Sequence, residues 1–186
     1  MTDKSDRAQS VAVVVGCEGQ DGYYLTKLLE GQGATVIGVG RNRIVDGRPA
    51  PRERSEITEF IRELEPNAVY YLAAHHRAAQ DDPEEPYDEF AGCSEAHIQG
   101  LAKYLDAIAR MNPSTRLFYA GSAHVFGVPK TTPQSEETAF APSCIYGITK
   151  AAGIELCRFY RDQHNIYCSV GILYNHESPR RSSAFV

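Results

Sequence analysis

Tyr146 and Lys150 stand four residues apart in Tyr146-Gly-Ile-Thr-Lys150. On a helix that spacing sends the phenol and the ammonium from one face toward one site. A lysine cation beside a phenol favours the phenolate, lowering its pKa toward working pH and making Tyr146 a usable general acid/base. Ser122, in Gly121-Ser122-Ala123-His124, falls just after a predicted strand, where its hydroxyl can bond the oxygen that gains or loses a proton. His124 is a second candidate: a base near neutral pH, or a histidine satisfied within the fold. Tyr-x-x-x-Lys is common by chance, so its weight depends on what else reaches the same edge of the molecule.

The other chemical signal is N-terminal. Val11-Ala-Val-Val-Val15 reads as a buried strand, because β-branched residues suit a pleated surface covered on both faces. Gly16, Gly19 and Gly22 follow, and then a helical pattern with Tyr24, Leu25, Leu28 and Leu29 on one face. Strand, glycine turn and helix together bring backbone N–H groups and a helix N-terminus to a pyrophosphate. Gly16 permits the tight turn, Gly19 the approach of phosphate, and Gly22 close packing of helix on strand. An ordinary βα turn is the plainer alternative. The second strand, Ala34–Val39, runs into Gly40-Arg41-Asn-Arg43 with no carboxylate before Asp46. Arg41 and Arg43 therefore favour a 2′-phosphate, hence NADP, with NAD as the other possibility; as solvated loop arginines they would carry no such meaning.

The remaining elements have to position these groups. After the breaker cluster Gly47–Pro51, Glu53–Leu64 has helical spacing, and Ala68–Ala73 is a third strand. Asp81–Pro86 reads as an acidic loop and Ala91–Met111 as a long helix. Arg116–Ala120 is a fourth strand, Cys144 to about Gln163 a helix capped by Ser143, and Ile166–Leu173 a fifth strand. Alternation of strands and helices predicts an α/β fold: a Rossmann-like, doubly wound parallel sheet of about five strands in the order 2-1-3-4-5. The cofactor crevice opens at the carboxyl end of the first strand. Residues 1–10 are expected to form a disordered tail and residues 11–186 the NAD(P)-binding domain.

The chain has 186 residues, a formal net charge of −5 and 23% charged residues. That balance gives no electrostatic footprint for nucleic acid. No apolar run reaches membrane-spanning length, and Met1–Ser10 lacks a signal peptide's apolar region, so the expectation is a cytoplasmic protein without membrane contact. Five scattered cysteines are expected to be reduced thiols. Cys17 reads as a small filler of the glycine turn. His75, His76, His97 and Glu95 lack the spacing of a metal site, and no metal is expected.

Taken together, these residues resemble the extended short-chain dehydrogenase/reductase family, and within it the GDP-mannose 4,6-dehydratases. Gly16-Cys-Glu-Gly19-Gln20-Asp21-Gly22-Tyr-Tyr-Leu25 is similar to that group's first turn. Leu72-Ala73-Ala74-His75 is similar to the segment after the strand beside the cofactor, and Leu173-Tyr-Asn-His176-Glu-Ser-Pro-Arg-Arg181 to a long motif after the fifth strand. The resemblance implies Tyr146 and Lys150 as catalytic pair, Ser122 as hydroxyl partner, and His176 and Arg181 as cofactor contacts. Gln20, Asp21, Leu72, Ala73 and Ala74 join the cofactor-binding set. It implies oxidoreduction of a nucleotide sugar, a GDP-hexose first, in polysaccharide biosynthesis, with hydride passing from sugar C4 to the nicotinamide.

The chain also departs from that pattern. Ser122-Ala123-His124 replaces the sequence that carries a glutamate base, leaving dehydration and epimerisation both open. The region Arg41–Arg54 is short, Glu95 stands where relatives carry Asn or Asp, and Val186 is reached just past the fifth strand. The expectation is a substrate domain largely absent from this chain, whether by truncation, by supply from elsewhere or by loss of substrate binding. A surface that such a domain normally covers favours a homo-dimer or homo-tetramer. The competing expectation is a degenerate NAD(P)-binding module or partner subunit without turnover.

Overall fold

The computed structural model describes residues 10–41, 44–45, 48–75 and 84–180. The predicted N-terminal tail therefore lies, save for Ser10, outside the described residues, as do Arg43, His76 and Arg181. The chain runs β1 (Val11–Val15), α1 (Gln20–Gly31), β2 (Thr35–Val39), a short antiparallel pair β3 (Ile44–Val45) and β4 (Arg48–Pro49), and α2 (Arg54–Leu64). It continues through β5 (Ala68–Tyr71), α3 (Pro86–Ser94), a π-turn (Glu95–Gln99), α4 (Gly100–Met111), β6 (Arg116–Ser122), a 3₁₀ turn (Ala123–Phe126), α5 (Ile145–His164) and β7 (Cys168–Leu173).

The five long strands form one parallel sheet in the order β2-β1-β5-β6-β7. This is the doubly wound, Rossmann-like order expected from the sequence. Val13, Val14 and Val69 are fully buried, as continuous β-branched runs in a parallel sheet require. Ile57 and Ile61 of α2 and Leu101, Leu105 and Ile108 of α4 cover the sheet with their apolar stripes.

Several boundaries differ for local reasons. The long helix begins at Pro86, earlier than Ala91, because proline suits the first helical position after Glu85. Cys144, and not Ser143, caps α5: its sulfur accepts the Gly147 N–H at 3.4 Å. The third strand stops at Tyr71 and β7 starts at Cys168, yet Leu72 N–H still donates to Val15 O at 2.8 Å. The β3–β4 pair was not expected from the breaker cluster. All five cysteines are free thiols.

Candidate active site

The glycine turn is built as its spacing requires. Gly16 has φ +90, and a Cβ there would come 2.8 Å from Ala73 N. A Cβ on Gly22 would come 2.6 Å from Cys17 Cα, so α1 sits directly on the turn. Gly16 N–H donates to Val39 O at 2.7 Å, tying the turn to β2. Gly19 caps α1 without a side chain to accept the N–H groups of the first turn, which leaves those donors for an anion. This cradle fits a dinucleotide's pyrophosphate.

The turn also meets the segment after β7. Gln20 Nε2 donates to the His176 carbonyl at 3.2 Å, and His176 Nε2 lies 2.6 Å from Asp21 Oδ1. His176 Nδ1 lies 2.8 Å from the Tyr174 carbonyl. Both partners only accept, so whichever ring nitrogen carries a proton donates to its partner. Two motifs about 155 positions apart thus share one corner of the molecule.

At the end of β2, Arg41 is exposed and its carbonyl accepts a bond from Arg52 Nη2 at 2.5 Å. A carboxylate does reach this strand end, but from the glycine turn: a Cβ on Gly40 would come 2.6 Å from Glu18 Cδ. Inspection of the residues following β2 misses Glu18, because it arrives from another loop.

Leu72, Ala73 and Ala74 follow β5, with Ala73 against Gly16. The next residue, His75, bonds through Nε2 to Glu84 Oε2 at 3.1 Å and donates its backbone N–H to His97 Nε2 at 3.2 Å. The loop 72–75 is therefore held on one side by the glycine turn and on the other by the cluster around Tyr146.

In that cluster, Lys150 is 2% exposed and donates to the Ala120 carbonyl at 2.8 Å. Its Nζ lies 5.0 Å from the Tyr119 ring centre and 5.6 Å from that of Tyr146, so ring quadrupoles offset part of the cost of a buried charge. Burial nevertheless lowers the Lys150 pKa to about 8. The Tyr146 pKa runs opposite to expectation: burial, with added charge on Cys93 and Cys144, pushes it up to about 12. Lys150 gives its hydrogen bond to Ala120, and desolvation of the phenolate outweighs the nearby cation.

Ser122 closes β6, nearly buried, and its Oγ accepts the His124 N–H at 3.3 Å. The His124 ring stands edge-on to Tyr146 with centres 5.5 Å apart, and its Nδ1 is 3.7 Å from Cys144 Sγ. The structure thus brings Ser122, His124, Tyr146 and Lys150 to one end of β6 and α5. On the long helix it is His97, not Glu95, that turns inward: His97 is fully buried, while Glu95 is exposed and pairs with Lys103. Among the described residues, no helix is long and apolar enough to cross a membrane.

The model of the NAD dependent epimerase/dehydratase family matches residues 12–186. GDP-mannose 4,6 dehydratase 2 of Caenorhabditis elegans is 32% identical over 210 aligned positions, covering 98% of this chain and 53% of that protein. The fold is similar to UDP-glucose 4-epimerase from Brucella ovis in complex with NAD (TM-score 0.73, 21% identity, 87% of this chain and 50% of that one). It is also similar to dTDP-4-dehydrorhamnose reductase from Bacillus anthracis in complex with NADP (TM-score 0.70, 20% identity, 89% and 54%). The chain spans about half the length of the curated relatives it matches.

Proposed function

Because the chain belongs to the NAD dependent epimerase/dehydratase family, we propose that it forms the cofactor-binding half of an enzyme that oxidises a nucleotide sugar, a GDP-hexose first, at C4. The observation that carries this reading is the Tyr146–Lys150 pair, linked through loop 72–75 to a glycine turn that can hold a pyrophosphate.

Gly16, Gly19, Gln20, Asp21 and Gly22 hold the diphosphate, Arg41 and Arg43 the adenosine phosphate of NADP, and Leu72, Ala73 and Ala74 line the crevice. His176 and Arg181 complete the cofactor contacts, His176 by fastening the turn through Asp21 and Gln20. Bound nicotinamide dinucleotide supplies the hydride acceptor and, when oxidised, a positive charge that favours the Tyr146 phenolate. Tyr146 then takes the proton from the C4 hydroxyl while Ser122 donates a hydrogen bond to the same oxygen. Lys150 holds its charge between the two tyrosine rings and keeps Tyr146 oriented. The resulting ketone acidifies C5, and His124, edge-on to Tyr146, is the base for the next step, dehydration or epimerisation.

Dehydration or epimerisation returns the hydride to the sugar, so Tyr146→Phe is expected to abolish the transient NADPH absorbance at 340 nm in the first turnover with GDP-mannose and to leave NADPH affinity within about twofold. Turnover at the wild-type rate in that variant overturns the assignment. One observation favours a second reading, a binding module without turnover: Lys150 gives its hydrogen bond to the Ala120 carbonyl and lies 5.6 Å from the centre of the Tyr146 ring, which leaves burial of the phenol uncompensated. NADPH binding by calorimetry with no turnover across GDP- and dTDP-hexoses supports that module.

A further inference from the structure

We infer that His97 is a positioning residue for Tyr146, locking the tyrosine helix to the cofactor-edge loop through a one-directional hydrogen-bond chain. The inference rests on the reading of Tyr146 as acid/base.

The chain begins at a donor of fixed sense. The His75 backbone N–H can only donate, and it meets His97 Nε2 at 3.2 Å. That nitrogen is therefore the unprotonated one, and the neutral ring carries its proton on Nδ1. His97 Nδ1 lies 2.8 Å from Thr149 Oγ1, so Thr149 accepts. The Thr149 hydroxyl proton then goes to the carbonyl of Ile145 at 3.0 Å or of Tyr146 at 3.1 Å. His97 and Thr149 are both fully buried, so water does not compete for these bonds.

His97 also touches Tyr146 directly. The two rings meet edge to face, centres 4.9 Å apart and planes at 83°. Its position depends on the π-turn Glu95–Gln99, a register shift inside the long helix. Tyr71 of β5 supports that turn by donating its hydroxyl to the Ala96 carbonyl at 2.7 Å. One imidazole thus carries the spacing between loop 72–75, at the crevice, and the first turn of α5. A doubly protonated His97 would lose its acceptor for His75, so the neutral ring is part of the lock.

A tautomer assignment and three variants test this. Nitrogen-15 NMR of the labelled chain at pH 7 is expected to show His97 as the Nδ1–H tautomer; an Nε2–H tautomer or an imidazolium overturns the inference. Thr149→Val keeps shape and removes the acceptor, and His97→Phe keeps the ring contact and removes both bonds. Each is expected to slow first-turnover NADPH formation about 10- to 100-fold, with the half-saturating sugar concentration and NADPH affinity within about twofold, the signature of a misplaced reacting group. His97→Gln, whose amide oxygen can take the His75 N–H, recovers part of that loss. An unchanged first-turnover rate in folded Thr149→Val, beside a dead Tyr146→Phe, overturns the role of His97 and leaves the proposed function standing. Full activity in Tyr146→Phe overturns the proposed function instead, while the tautomer still reports on the lock. If His97→Phe does not fold, Thr149→Val and the tautomer decide the matter.

Discussion

The two halves of the sheet are built differently. β6 is buried along most of its length, with a strand on each side, and delivers Ser122 into a cluster where His97, Thr149 and Lys150 are all nearly or fully buried. β2 is an edge strand in which only Val39 is buried, and the charged groups at its end, Glu18 and Arg41, face solvent. On the β6 side, dry and directional bonds set where each reacting group sits, and a small displacement is costly. On the β2 side, exposed charges act through a screened field and tolerate change. On the proposed reading, the catalytic geometry would be a property of the core, and the choice of cofactor a property of the surface.

The glycine turn breaks that division, and it carries the largest expected effect. Gly22 lies on the β2 side of the molecule, yet a Cβ there would strike backbone atoms of Gly16 and Cys17 that cannot rotate away. Gly22→Ala is expected to cost about 3 kcal/mol in urea unfolding and to remove NADPH binding. A cost under about 0.5 kcal/mol with binding intact would mean that α1 shifts freely, and that the whole nucleotide side is as soft as its edge.

Lys150 sharpens the same contrast from the buried side. Its pKa falls from 10.5 in the unfolded chain to about 8 in the fold, chiefly through burial. Between these values the unfolded state binds more protons, so this group's contribution to stability rises with pH from about 8 to about 10.5. Below pH 8 the full burial penalty applies. The difference in unfolding free energy between wild type and Lys150→Met, measured in urea, should therefore move toward wild type by about 3 kcal/mol across that window. Comparing the two proteins cancels the buried tyrosines and cysteines, which titrate in both. A flat difference would place the ammonium in water, and the cluster would not be dry.

The contrast also accounts for what the sequence disclosed. The valine run, the glycine spacing and the alternation of periods are local, and they lead directly to β1, the turn, α1 and the strand order. Tyr146 and Lys150 were legible because a helix converts a spacing of four into a shared face. His97 was not, because the apolar periodicity of Ala91–Met111 reads as one continuous helix and a π-turn leaves no composition signal. The rise in the Tyr146 pKa was missed for a related reason: spacing reveals the lysine beside the phenol but not the surrounding burial that outweighs it. Ser143 and Cys144 are adjacent potential caps, and only the backbone conformation selects the cysteine. Glu18 escaped because its approach to Gly40 is a contact between two loops.

The smallest expected effect lies at that contact. On the proposed reading, Arg41 would favour a 2′-phosphate and a carboxylate at the end of β2 free ribose hydroxyls, so Glu18 and Arg41 would oppose one another in choosing NADP or NAD. Both side chains are exposed, so each acts at modest strength and weakens as salt rises. Arg41→Ser is expected to weaken NADPH binding about tenfold and NADH binding less than about twofold, read by fluorescence titration at low salt. Glu18→Gln should tighten NADPH by about threefold and loosen NADH by a similar factor, both changes shrinking at 0.5 M salt. Equal losses for the two cofactors in Arg41→Ser would mean that the Arg41 side chain does not read the 2′-phosphate. Selection would then fall to Glu18, and the edge strand would favour NAD.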